Sequence, residues 1–174
     1  MITTLRYFVL IAFLSFLFIS GCNESSNNLI DQPIIDQAFS KTIIPLATQS
    51  MATEGFETGS KTAYAAADVT LGTGVWNMDD ALIGTLTTDV KNGTASARVR
   101  NSGKITMKFN LTNGASTVTI KHAKYGSDAS TTWQLWYSVN SGSTWTQTGS
   151  TITNSATSLQ TASFTVNVSG TIRF

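Results

Sequence analysis

Apolar and polar residues alternate along most of the chain beyond about residue 53. Ile105, Met107 and Phe109 alternate with Lys104, Thr106 and Lys108. Val118 and Ile120 alternate with Thr117, Thr119 and Lys121. Trp133, Leu135, Tyr137 and Val139 alternate with Gln134, Trp136 and Ser138, and Phe164, Val166 and Val168 with Thr165 and Asn167. A period of two puts one apolar and one polar face on each run, the pattern of half-buried antiparallel strands. Turn formers separate the runs: NSG at 101–103, TNG at 112–114, YGSDAS at 125–130 and NSGS at 140–143. No helical period follows residue 22. Many short strands at regular spacing predict an all-β chain, an antiparallel β-sandwich of jelly-roll type over residues 53–174.

The N-terminal 52 residues break this pattern twice. Residues 1–22 read MITTLRYFVLIAFLSFLFISGC, with Arg6 ahead of an apolar run from Tyr7 to Ile19. That run is shorter than the ~20 residues of a membrane-spanning helix and fits the helical h-region of a secretory signal. It closes on Ile19-Ser20-Gly21-Cys22, which resembles a bacterial lipobox. Cys22 is the expected lipidation site, and more than one acyl chain there gives stable anchoring. The expected location is therefore outside the cytoplasm, lipid-anchored, with outer membrane or cell surface as the destination. Residues 23–52 hold both prolines, Pro33 and Pro45, and only short apolar clusters. They read as a flexible tether, with a first strand packed on the sandwich over Thr42 to Leu46 as the competing reading.

Composition narrows the function classes. Charged residues are 12% and hydrophobic residues 41% of the chain, which argues against disorder. A formal net charge of +1 gives no global pull toward nucleic acid or anionic lipid. With Cys22 the single cysteine, an intramolecular disulfide cannot form and a cysteine-based metal site is not expected.

Three features carry candidate chemistry. Lys91 to Lys124 contains seven Lys or Arg and no Asp or Glu. Arg98, Arg100, Lys104 and Lys108 are candidate phosphate contacts, making a salt-sensitive, sequence-independent interaction with nucleic acid. The competing reading is a solvated strand face, neutralised across strands by the acidic stretch 54–89. Trp136 lies on the face opposite Leu135 and is a candidate for stacking on a sugar ring of a polysaccharide. His122, the one histidine, shares a face with Val118 and Ile120 and reads as a partly buried, hydrogen-bonded side chain. A general base needs an oriented partner and a nucleophile, and the sequence nominates neither. No catalytic residue is assigned in this chain.

Ser138 to Trp145, SVNSGSTW, resembles the Asp-box hairpin of sialidases, with Asn140 in place of Asp. It occurs once, whereas a propeller repeats its unit. Glycoside hydrolysis also needs a carboxylate pair, and neighbours Asp79 and Asp80 should point to opposite faces of a strand. The motif reads as architecture, with the side chain at 140 binding backbone N–H groups across the turn.

Three segments together carry a family resemblance: GFETGSKTAYAAADVTLGTGVWNMDDALIG (55–84), DVKNGTASARVRNSGKITMKF (89–109) and IKHAKYGSDASTTWQLWYSVNSGSTWTQTGS (120–150). They resemble the jelly-roll module that precedes DNA/RNA non-specific endonuclease domains in secreted Bacteroidetes proteins. The resemblance covers roughly 53–174. It implies a non-catalytic binding or positioning module, followed in its parent by a Mg²⁺-dependent phosphodiesterase domain with a D-R-G-H motif. This chain has no D-R-G-H. Family members continue past the strand read here as GTIRF (170–174) into a further Asp-rich strand, so the domain is expected to lack its last strand. The resemblance also makes Glu57, in Phe56-Glu57, a candidate ligand of a structural Ca²⁺. A carbohydrate-binding lipoprotein module and a structural spacer remain the other readings.

Overall fold

The computed structural model describes residues 51–174 and the backbone of Tyr7–Ile11. The lipobox Cys22 and the tether segment 23–50 lie outside the described residues.

The described chain is all-β, with antiparallel sheets and no helix. The strands are β1 (Tyr7–Ile11), β2 (Ala67–Leu71), β3 (Gly74–Gly84), β4 (Ser96–Met107), β5 (Ala115–Lys124), β6 (Thr131–Tyr137), β7 (Thr146–Asn154) and β8 (Gln160–Val168). Six form one sheet in the order β2-β3-β4-β1-β5-β8, and β6-β7 form a separate two-stranded sheet. The predicted alternation is visible in β6, where Trp133 and Leu135 are buried while Thr132, Gln134 and Trp136 are exposed.

One core joins the two sheets. Trp133 and Leu135 of β6 belong to the same buried cluster as Val118 and Ile120 of β5, Phe164 of β8, and Met78 and Val99 of β3 and β4. The Trp133 ring lies edge-on to Phe164 at 5.6 Å and to His122 at 5.2 Å. A second aromatic run, Phe56–Trp76–Phe109, fills the β2–β3 end at 6.2 and 5.9 Å. Gly149 faces Phe164 so closely that an added Cβ would sit 2.6 Å from the ring, and its φ of 66° favours glycine independently.

The β3–β4 ladder carries a large bulge. Asp79 pairs with Lys104 and Ala81 with Val99, so Asp80 alone opposes Arg100 to Gly103. Asp80 and Asn101 both adopt positive φ, 48° and 52°, which Asp and Asn tolerate better than other side chains. The Asp80 carboxylate closes the bulge by accepting from Arg100 Nε at 2.6 Å and Asn101 Nδ2 at 2.8 Å.

Residues past β8 are also paired. Ile172 bridges Leu111, Arg173 bridges Ser138, and Met107 N–H donates to the Phe174 carbonyl at 2.7 Å. This short stretch ties the β6–β7 hairpin to the end of β4.

The sequence reading differs from the structure in three places. Tyr7–Ile11, read as part of a signal helix, is extended and lies between β4 and β5. Tyr, Phe, Val, Leu and Ile suit a strand as well as a helix, and pairing on both edges decides between them. Val139, placed by alternation with Leu135 and Tyr137, is exposed because β6 has already ended at Tyr137 and the turn has begun. The extent of β7 was not legible: the hairpin at 138–145 puts a strand after the turn, but Thr146–Asn154, TQTGSTITN, holds too few apolar residues to show a period.

Candidate functional site

The outer face of the β6–β7 hairpin presents the best-formed exposed surface. Trp136 is 42% exposed. Its indole Nε1–H donates to Gln134 Oε1 at 3.1 Å, and Gln134 Nε2 donates to Thr151 Oγ1 on β7 at 3.0 Å. Gln147 is the cross-strand partner of Trp136. A flat indole is thus held by a polar ladder with amide groups beside it. Such a surface can stack on a planar apolar face and hydrogen-bond to groups at its rim. The i, i+2 spacing of Gln134 and Trp136 was the available signal for this pairing, whereas the contributions of Thr151 and Gln147 needed the register of β7.

The hairpin tip holds that face rigid. Ser138 Oγ accepts from Gly142 N–H at 2.9 Å and donates to Asn140 Oδ1 at 2.8 Å. Asn140 Oδ1 also accepts from Thr144 N–H at 2.9 Å, and Asn140 Nδ2 donates to Thr144 Oγ1 at 2.8 Å. Asn140 therefore does the cross-turn work read for it in the sequence. Ser141 and Gly142 both lie at positive φ, 57° and 89°. Arg173 Nε donates to Asn110 Oδ1, and Asn110 Nδ2 to Ser141 Oγ, which pins the tip to the body of the domain.

The four cations read as phosphate contacts do not form one open stripe. Arg98 is buried and makes two hydrogen bonds to Asp89, from Nε at 2.6 Å and Nη2 at 2.5 Å. Its guanidinium also lies 4.3 Å from the centre of the Tyr125 ring. Burial works against the charge, but the hydrogen bonds to Asp89 hold the Arg98 pKa above its ordinary value. Arg100 pairs with Asp80 at 2.6 Å and lies 3.9 Å over the Tyr64 ring. Lys108 stands 3.9 Å from Asp68, and Lys104 is in register with Asp79. Asp68, Asp79, Asp80 and Asp89 of the stretch 54–89 stand against these cations, whereas Glu54 and Glu57 bind elsewhere. The exposed members, Lys104 and Lys108, lie beyond the bulge from the arginines.

Glu57 is exposed, but its carboxylate is engaged. It accepts from Thr94 N–H at 3.0 Å, from the Thr94 hydroxyl, and more weakly from Ala95 N–H at 3.4 Å. The Thr94 hydroxyl is the main reason its pKa lies below the usual 4.5. Gly93 permits this approach, since a Cβ there would meet Glu57 Oε1 at 2.2 Å. Among the described residues no group of three or more His, Cys, Asp or Glu side chains is placed to hold a metal ion.

Three buried polar groups have structural partners. His122 is buried, with Nδ1 3.1 Å from Asn154 Oδ1, and Asn154 Nδ2 donates to the Ala123 carbonyl at 2.7 Å. Glu54, 3% exposed, accepts from Phe56 N–H at 2.7 Å and from the Thr73 hydroxyl at 2.7 Å. Lys61 donates to the Ala81 carbonyl at 2.6 Å and holds its segment against β3. The sequence reading places Glu54 in the acidic stretch facing the cations, but its carboxylate serves Phe56 and Thr73 instead, and it assigns no role to Lys61, because an isolated charge in an irregular segment gives no period to read.

No protein-family model, curated protein or solved structure matches the chain.

Proposed function

We propose that this chain is a non-catalytic binding and positioning module, a β-sandwich of jelly-roll type, in an exported protein anchored to the membrane through lipid on Cys22. The ISGC end of the apolar N-terminal run supports export and lipidation. The HAKYGSDAS…W…SVNSGSTW run supports the link to modules that precede DNA/RNA non-specific endonuclease domains. In that arrangement Mg²⁺ and phosphodiester hydrolysis belong to the parent's nuclease domain and not to this one. The coding sequence downstream of codon 174 tests the link. It is expected to encode D-R-G-H, and a stop codon or an unrelated domain there excludes this parent.

The observation that carries a binding role for the domain itself is the exposed Trp136, held by Gln134 and flanked by Gln147. That surface favours a saccharide polymer as ligand, since an indole stacks on the apolar face of a pyranose while the amides bond to its hydroxyls. Nucleic acid is the less favoured ligand, because Arg98 and Arg100 are already committed to Asp89 and Asp80. A glycan panel against the wild-type protein and Trp136→Ala decides. Trp136→Ala should lose at least about tenfold in affinity for the retained glycan while unfolding at the same urea concentration. Equal binding by both proteins removes the platform. Salt-sensitive binding to mixed-sequence DNA would instead favour the nucleic-acid ligand.

A further inference from the structure

Between Asp128 and Arg173 the sequence holds no Asp, Glu, Lys, Arg or His, although 12% of the chain is charged. That stretch supplies the whole of β6, β7 and β8. In contrast, β2, β3, β4 and β5 each carry charged side chains. The two flanking charges stand at the ends of the stretch. Asp128 precedes β6, and Arg173 follows β8 with its Nε held by Asn110.

The outer face of the β6–β7 hairpin is built of three rungs. Trp136 is opposite Gln147, Gln134 reaches Thr151, and Thr132 is opposite Thr153. Gln147 is half-buried and the other five are exposed. Alternate residues of a strand share a side, so Trp136, Gln134 and Thr132 form one row, ~13 Å long at ~3.3 Å per residue. A bulge shapes the middle rung. Between Trp133↔Ile152 and Leu135↔Thr148, β7 sets Gly149, Ser150 and Thr151 against Gln134 alone.

The chemistry of these rungs selects by charge. Thr and Gln side chains both donate and accept hydrogen bonds, as a sugar hydroxyl does. A carboxylate, sulfate or phosphate only accepts. An anion seated here would also give up water with no cation to replace it, which is costly. Nor does a face without charge steer a charged polymer from a distance. β8 marks the limit of the argument from composition. Its exposed Thr161, Ser163, Thr165 and Asn167 are equally uncharged, but none is aromatic, so it offers hydrogen bonds without a stacking surface.

Resting on the reading of Trp136 as a saccharide platform, we propose that the ligand is an uncharged linear polysaccharide laid along β6 and β7. One ring stacks on Trp136, and the sugars that follow hydrogen-bond at Gln134–Thr151 and Thr132–Thr153. Polymers of uronic acids and sulfated glycans are rejected by the same face.

The test titrates the full chain with neutral polysaccharides (a glucan, a mannan and a xylan) and acidic ones (polygalacturonate and a chondroitin sulfate). Binding should be confined to neutral members. Affinity should change by less than about twofold between about 0.05 and 0.5 M salt, since no ion pairs are made. The Thr132→Val, Thr153→Val double variant keeps residues suited to a strand. It should bind the retained polymer at least about threefold more weakly, the scale of one or two lost hydrogen bonds, while unfolding at the wild-type urea concentration. An acidic polymer retained in a Trp136-dependent way overturns the uncharged class and leaves the platform standing. Unchanged affinity in the threonine double variant overturns the footprint along the strands. Equal binding by wild type and Trp136→Ala, or binding to no member of either group, removes the platform and this inference together.

Discussion

Single side chains here do two separable kinds of work. Asn140 and Ser138 satisfy the backbone of one turn, whereas Trp136 contributes little to the interior. Asn140→Ala removes the acceptor for Thr144 N–H and the partner of Ser138. It should cost about 1–2 kcal/mol in urea denaturation, typical of a lost local hydrogen-bond network. Gly149→Ala should cost a similar amount or more, because the left-handed backbone and the Phe164 ring both oppose a Cβ. Trp133→Ala should be the most damaging of the three, about 3–5 kcal/mol, since its ring contacts both His122 and Phe164 in the core. The motif at 138–145 disclosed its turn in the sequence because Asn, Gly and Ser act on their own backbone neighbours. The partner of His122 was not legible, since Asn154 is 32 residues away.

At the level of strands, register decides which charges are available. A run of seven cations without an acid looked like a basic face in one dimension. Pairing of β3 with β4 sets Asp80 against Arg100, the return of the chain through Asp89 places a carboxylate on Arg98, and Asp68 of β2 stands 3.9 Å from Lys108. The same pairing gives a clear contrast in stability. Asp89→Ala strands a buried guanidinium and removes the acceptor for Leu86 N–H, so it should cost about 3–5 kcal/mol. Lys104→Ala, on the exposed face, should stay within about 0.5 kcal/mol of wild type. Thermal or urea unfolding of the two variants side by side checks this. Strands with strong alternation, such as β5 and β6, were readable because burial on one face imposes the period. The extent of β7 and the β3–β4 bulge were not, because Thr- and Ser-rich strands and irregular pairing take their form from neighbours distant in sequence.

For the whole molecule, stability in acid should follow the engaged carboxylates. The Thr94 hydroxyl holds Glu57 below its ordinary 4.5, and hydrogen bonds first from Asn101 and then from Arg100 hold Asp80 below 3.8. The unfolded chain therefore binds more protons than the folded one in this range. The stabilisation is complete above about pH 5 and fades as pH falls through these values toward the lower folded-state pKa of each group. Urea midpoints should drop between pH 5 and pH 3, and the Glu57→Gln, Asp80→Asn double variant should show a shallower drop. An equal slope in both proteins would assign the acid sensitivity elsewhere. All-β architecture was visible from the residues because periodicity reports burial directly. The order of the strands was not, since nothing in a local period says that Tyr7–Ile11 lies between strands that begin about 85 and 104 residues later in the chain.

The unequal exposure of the indoles also provides an optical readout that needs no label. Trp76 and Trp133 are enclosed, Trp145 is half-covered, and Trp136 faces solvent. Acrylamide should therefore quench Trp136 emission preferentially, and a ligand seated on that ring should shield it and shift the spectrum to the blue. Occupancy of the β6–β7 face can thus be followed by fluorescence titration in unmodified protein, with Trp136→Ala as the blank.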